Sequence, residues 1–189
     1  IGVFSAIAAI LMVLEFPVPF APSFYGLDFS ELPALIGAFA YGPVAGVMIE
    51  FCKILIKLVL KPSSTAFVGE LANFSISCML VLPASVIYLF KKSRKQAILG
   101  TVVGTLIMTA FGSCFNAIYL LPKFSELYGI PLDAIIGMGT AINPAIHSIS
   151  GLVLMCVVPL NLLKGGLVSL ITILVYKKLS PILKAAHKQ

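Results

Sequence analysis

The stretch AFVGELANFSISCMLVLPASVIYLF (66–90), followed at once by KKSRK (91–95), decides how the rest of the chain is read. A helix needs about 20 predominantly apolar residues to cross the hydrocarbon core of a bilayer. A dense basic cluster just behind such a run marks a cytoplasmic loop. Working outward, the same texture covers the whole chain: 60% of its 189 residues are hydrophobic and 11% are charged. Mean hydropathy is +1.10. Soluble domains carry about 25% charged residues, and disordered chains are more polar still, so both classes are excluded. The length holds roughly five to seven spans and leaves no room for a separate soluble domain. Nucleotide hydrolysis has to come from another chain. The net charge of +6 reads as membrane topology rather than as a nucleic-acid footprint.

Upstream, a first span is expected over Ile1–Phe16, stopped by Pro17, Pro19 and Pro22, which fix φ and remove donors. The loop that follows, through Asp28, carries Phe20, Phe24, Tyr25 and Leu27; so apolar a loop is expected to fold onto the protein. Ser30 offers an N-cap to a short second span ending at Tyr41, and Pro43 suits the first position of a third helix over 44–60. Glu50, Lys53, Lys57 and Lys61 recur at three- and four-residue offsets, hence on one face. A mid-membrane charge costs about 2.5–3.5 kcal/mol, so that face should meet protein or water. The fourth span is the opening stretch itself, interrupted late by Pro83.

Downstream, a fifth span covers about 96–121 and ends at Pro122. The segment from Lys123 to His147 holds Gly129, Pro131, Gly137, Gly139 and Pro144, which predicts a short interfacial or re-entrant piece. A last span reaches about Tyr176, irregular at its outer end because of Pro159 and Gly165-Gly166. Lys91, Lys92, Arg94 and Lys95, with Lys177, Lys178, Lys184 and Lys188 in the tail, put both termini in the cytoplasm. A cleavable signal peptide is not expected, since no basic n-region or A-x-A-like site precedes a polar segment. The reading is an all-α, multi-pass membrane protein of about six helices, one domain over residues 1–189.

Metal and catalytic sets are not visible. Cys52, Cys78, Cys114 and Cys156 are scattered in apolar runs without a CxxC pair. His147 beside Ser148 and Ser150 has no G-x-S-x-G elbow, and no G-x-x-x-x-G-K-[ST] loop occurs. What remains is a site opening outward. The first loop, KPSST (61–65) and the Lys123–His147 stretch all emerge on the outer face. Glu70, Asn73, Asn116, Asn161 and Lys164 sit at the outer ends of their spans, with Asn161 and Lys164 on one face. Amides and an ammonium there would suit a flat ligand with carbonyls and ring nitrogens, stacked on the loop aromatics. The blander alternatives stay open: asparagines bonding between helices, Glu70 neutral or paired with Lys53 or Lys57, and loop aromatics forming only an interfacial belt.

LEFPVPFAPSFYGLDFSELPALIGAFAYGPVAGVMIE (14–50) resembles the first-loop and second-helix signature of the RibU family, the riboflavin-binding S-components of energy-coupling factor (ECF) transporters. VGELANF (68–74), FNAIYLLP (115–122) and PLNLLKG (159–165) are similar to the same family, in the same order. The resemblance implies an S-component fold of six transmembrane helices in the bacterial cell membrane. It binds riboflavin at the outer face as transported substrate and not as cofactor, with flavin mononucleotide a candidate competitor. The implied partners are the lipid bilayer, a transmembrane coupling subunit and two ABC-type ATPase subunits. In the family the whole S-component is thought to topple to release its vitamin. Asn161 and Lys164 would bond the isoalloxazine ring, Asn116 would add a ring contact, and Phe24, Tyr25 and Leu27 would close over the ligand. Glu70, Leu71 and Asn73 would form pocket wall. A small-residue patch on the first helix would dock the coupling subunit, either Gly2 with Ala6 or Ser5 with Ala9. The competing readings are an S-component for another vitamin such as thiamine or biotin, and a stand-alone secondary transporter running a proton relay through Glu50, Glu70 and the third-helix lysines. The second lacks the internal repeat common in such folds.

Overall fold

The computed structural model describes residues 1–186, with side chains through residue 175. The side chains of Lys177, Lys178 and Lys184, and Lys188 altogether, lie outside the described residues. The chain is built of helices: α1 (Gly2–Val13), α2 (Glu31–Tyr41), α3 (Pro43–Leu60), α4 (Val68–Phe90), α5 (Arg94–Phe115), α6 (Leu121–Tyr128), α7 (Leu132–Ile142), α8 (Ile149–Leu152) and α9 (Val158–Ala186). Three continuous helical stretches, 68–90, 94–128 and 149–175, are long and apolar enough to cross a membrane. The third helix fails that criterion because of its charges, and α1, α2 and α7 are shorter apolar helices.

α2 is the hub. It packs against α1, α3, α4 and α9, and residues on nearly every side of it, among them Ala34, Leu35, Ala38 and Phe39, are buried. A helix apolar all round belongs inside. Gly42, at φ +97°, turns the chain directly into α3, where Pro43 begins the helix as expected. α4 and α5 approach closely: a Cβ on Gly100 would lie 2.5 Å from the Ala84 carbonyl oxygen, and one on Gly104 2.5 Å from that of Leu80. This is the small-residue contact by which helices pack where lipid supplies no hydrophobic drive.

The prolines behave differently from expectation. Pro83 does not interrupt α4, and two residues on, Ser85 Oγ bonds back to the Val81 and Leu82 carbonyls at 2.7 and 3.0 Å. Pro122 does not end the fifth helix either. The chain passes from α5 through a π-helical segment, Asn116–Leu120, into α6 without a break. A second π segment, Val153–Val157, joins α8 to α9 just before Pro159. A proline ring clashes with the carbonyl four residues back. For Pro122 and Pro159 those residues are Ile118 and Met155, each inside its π segment. The wider turn makes room for the ring, so the helix continues. Gly165-Gly166 likewise leaves α9 intact; Gly165 lies where a Cβ would meet Thr105 of α5 at 2.6 Å. The Lys123–His147 stretch is more regular than expected, completing α6, turning at Gly129 (φ +62°) and forming α7.

The first loop folds onto the bundle as its aromatic content required. A two-stranded antiparallel ribbon pairs β1 (Phe16–Pro17) with β2 (Gly26–Leu27). Val18, Ala21 and Tyr25 are buried in a cluster with Leu120, Leu121, Phe124, Ile146 and Leu160. Tyr128 Oη donates to the Ser64 carbonyl at 3.2 Å, tying α6 to the loop between α3 and α4. The three segments expected on the outer face therefore meet at one end of the bundle.

Candidate functional site

A cavity of about 640 Å³ opens at that end, within the range of small-molecule sites. Ile76, Met108, Leu120, Phe124, Val157 and Leu160 give it apolar walls. Phe24 and Tyr25 cover it from the first loop, their ring centroids 4.6 Å apart, with Phe24 edge-on to Phe124 at 6.1 Å. Tyr25 Oη donates to Asn116 Oδ1 at 2.8 Å. Burial pushes the Tyr25 phenol well above its ordinary value, reinforced by nearby Cys156, so it remains a donor. Asn116, in the π segment, donates its Nδ2 to the Gly112 carbonyl at 2.7 Å. Its amide thus positions the aromatic cover and retains one lone pair and one N–H.

The floor is ionic. Lys164 Nζ lies 2.9 Å from Asp28 Oδ2 and 2.7 Å from Glu31 Oε1. Ser77 Oγ donates to the same Glu31 oxygen at 2.6 Å, and Lys53 Nζ stands 4.0 Å from it. Lys53 also pairs with Glu50 and donates to Ser30 Oγ at 3.0 Å. Ser30 therefore spends its hydroxyl on Lys53 rather than capping α2; its own N–H is taken by Asp28 Oδ1 at 2.8 Å. Glu50 and Lys53 are fully buried, like Glu31 of α2, so the inner half of the charged stripe faces protein, while Lys57 reaches the rim and Lys61, past the helix end, is exposed; either surrounding avoids the cost in lipid. Two ammoniums meet three carboxylates in this cluster. For Asp28, in the loop, burial raises the carboxyl pKa, but the ammoniums of Lys164 and Lys53 and the bond from Ser30 outweigh it and hold the group below its ordinary value. At the rim, Glu70 pairs with Lys57 and accepts from Ser63 and Thr65 at 2.8 and 3.1 Å.

Of the residues singled out from the sequence, Phe24, Tyr25, Glu70, Asn73, Asn116, Asn161 and Lys164 line this one cavity. Leu27 and Leu71 do not: Leu27 packs into the cluster beneath the ribbon, and Leu71 is 49% exposed on the outside of α4. Three cavity-lining side chains carry a buried polar atom without a hydrogen-bond partner among the described residues: Glu31 Oε2, Asn73 Oδ1 and Asn161 Nδ2. On α1 the two small-residue pairs separate cleanly. Ser5 and Ala9 are fully buried inside the bundle, whereas Gly2 and Ala6 are exposed. Sequence reasoning missed Asp28, Glu31 and Ser77. The signal available was DFSE (28–31): two acids in an apolar chain, close to a helix start, need buried cations.

A family model for the substrate-specific component of ECF transporters matches residues 1–176. The riboflavin transporter RibU of Staphylococcus aureus (strain TCH60) is 34% identical over 184 residues, covering 97% of this chain and 90% of its own. The riboflavin transporter FmnP of Bacillus subtilis (strain 168) is 31% identical over 184 residues, covering 96% and 90%. A solved S component of a bacterial ECF transporter superposes with a TM-score of 0.73 at 36% identity, covering 97% of this chain and 94% of that one.

Proposed function

The chain belongs to the family of ECF transporter substrate-specific components, and we propose that its cavity captures riboflavin at the outer face of a bacterial membrane. Family membership makes it a multi-pass transport subunit, not an enzyme. Energy for uptake comes from a separate module of ATPases and a coupling subunit. In our reading that module has two ATPases and one coupling subunit, both termini of this chain are cytoplasmic, and the exposed Gly2–Ala6 face of α1 receives the coupling helix.

The observation that carries the ligand reading is the convergence of Asn116, Asn161 and Lys164 under Phe24 and Tyr25 in one buried cavity. A flat tricyclic ring fits apolar walls, and its carbonyls and nitrogens need a few fixed polar partners. The unpartnered Nδ2 of Asn161 and the remaining N–H of Lys164 supply donors, while Asn73 Oδ1 supplies an acceptor.

Titration of the purified protein with riboflavin, read by quenching of flavin fluorescence, tests this. Saturable binding is expected, weakened about tenfold to a hundredfold by Asn161→Ala, because ring atoms then lose a buried partner. A wild-type protein that leaves the fluorescence of riboflavin unchanged would refute the reading. Thiamine and biotin should not compete; flavin mononucleotide in the same assay reports how the rim tolerates a phosphate.

A further inference from the structure

Glu31 opens α2 at the floor of the cavity and is 1% exposed. Its Oε1 is fully used, accepting from Lys164 and Ser77 with Lys53 nearby. Its Oε2 has no hydrogen-bond partner among the described residues. Glu31 shares Lys164 with Asp28 and Lys53 with Glu50, and both of its own ammonium contacts run through Oε1. A second carboxylate oxygen buried without a bond is costly, and no hydrogen bond or ion pair among the described residues uses Oε2. Beside it the cavity wall is made of donors: Lys164 in direct contact, and Asn161 one turn away on the same face of α9. Next to these donors the unbonded Glu31 Oε2 is an acceptor with no partner of its own. The complementary ligand edge is an N–H set between carbonyls, the imide edge of a ring.

We infer that Glu31 is a ligand-reading residue whose Oε2 accepts the ring imide N–H, while Lys164 and Asn161 serve the adjoining carbonyls. The inference rests on the riboflavin reading, since the pyrimidine ring of a flavin carries such an imide at N3. It assigns Glu31 to specificity: a buried acceptor rejects ligands that cannot donate far more strongly than an apolar pocket rejects a methyl group.

The test compares riboflavin with N3-methylriboflavin on wild-type protein, Glu31→Gln and Glu31→Ala. Wild type is expected to bind the methylated flavin at least about a hundredfold more weakly. Glu31→Gln should lose about tenfold to a hundredfold for riboflavin. Glu31→Ala, with space for the methyl group, should bring the two ligands within about threefold of each other. On wild type alone, riboflavin labelled with nitrogen-15 at N3 should show its N3 proton shifted downfield and protected from exchange. Equal binding of both flavins by wild type, a rapidly exchanging N3 proton, or full discrimination retained by folded Glu31 variants would overturn the inference. Failure of wild type to bind riboflavin at all would instead remove the riboflavin reading on which it stands.

Discussion

Replacing Lys164 by methionine probes the floor of the cavity most directly. The ammonium makes contacts of 2.9 Å to Asp28 and 2.7 Å to Glu31, and both carboxylates are nearly inaccessible to water. Methionine keeps much of the length and apolar stem but leaves two acids facing each other with only Lys53 in reach. Removing one partner of a buried ion pair typically costs about 3–5 kcal/mol, because the remaining charge is stranded in a low dielectric. A domain of this size loses about 2–4 °C in melting temperature per kcal/mol, so the apparent melting temperature should fall by roughly 6–20 °C. The protein has no tryptophan, but Cys78 and Cys156 are buried; a thiol-reactive dye reports their exposure as the detergent-solubilised protein is heated. The mechanism is electrostatic, so neutralising a stranded acid should restore part of the loss: the double variant Lys164→Met/Asp28→Asn should melt higher than Lys164→Met alone. A single variant that melts with wild type, or a double variant that gains nothing, would refute the stranded-charge argument.

Tyr25→Phe removes the 2.8 Å bond to Asn116 while keeping the ring; about 0.5–1.5 kcal/mol of cover stability should go, seen in stopped-flow as faster riboflavin release. Asp28 has its carboxyl pKa held below the ordinary 3.8. Its contribution to stability is therefore present above that value and lost as pH falls through the depressed folded-state pKa. Melting curves of wild type should drop on acidification below about pH 4, and Asp28→Asn should show a shallower acid limb. Gly104→Val places side-chain carbon against the Leu80 carbonyl, 2.5 Å from where a Cβ would stand. Overpacking there should cost about 1–3 kcal/mol or more, lowering the melting temperature; an unchanged melt would mean that α4 and α5 part without penalty.

Much of the candidate site was legible because hydrocarbon is an unforgiving solvent. Asn116, Asn161, Lys164, Glu70 and Asn73 stand out in an apolar sequence, and each lies at the cavity because polar atoms in spans have few other places to go. The aromatic loop was legible for the same reason: Tyr25 is too apolar to stay in water, and it is buried. What failed was local reading of breakers. Pro83 and Pro122 read as an interruption and an end, yet each sits in continuous helix; the irregularity expected at the outer end of the last span is there as the π segment before Pro159, while Gly165-Gly166 adds none. A proline need not stop a helix packed among others: before Pro122 and Pro159 the chain widens into a π turn that makes room for the ring, and at Pro83 the α-helix simply continues.

Composition and the placement of charge determined that this chain is a multi-helix membrane protein with its polar chemistry gathered toward one end, since those follow from transfer energies that each residue carries with it. The partners of the charges followed from no such rule. That Lys164 answers Asp28 and Glu31, that Lys57 takes Glu70, and that Asn116 holds Tyr25 depended on which helices become neighbours. So did the burial of the two small-residue pairs on α1, where Ser5 and Ala9 vanish into the bundle and Gly2 and Ala6 stay outside. A side chain's need for a partner is written in its own chemistry, but which partner answers is decided by contacts between different helices and loops, as far apart as the 136 residues between Asp28 and Lys164, and those exist only once the helices have packed.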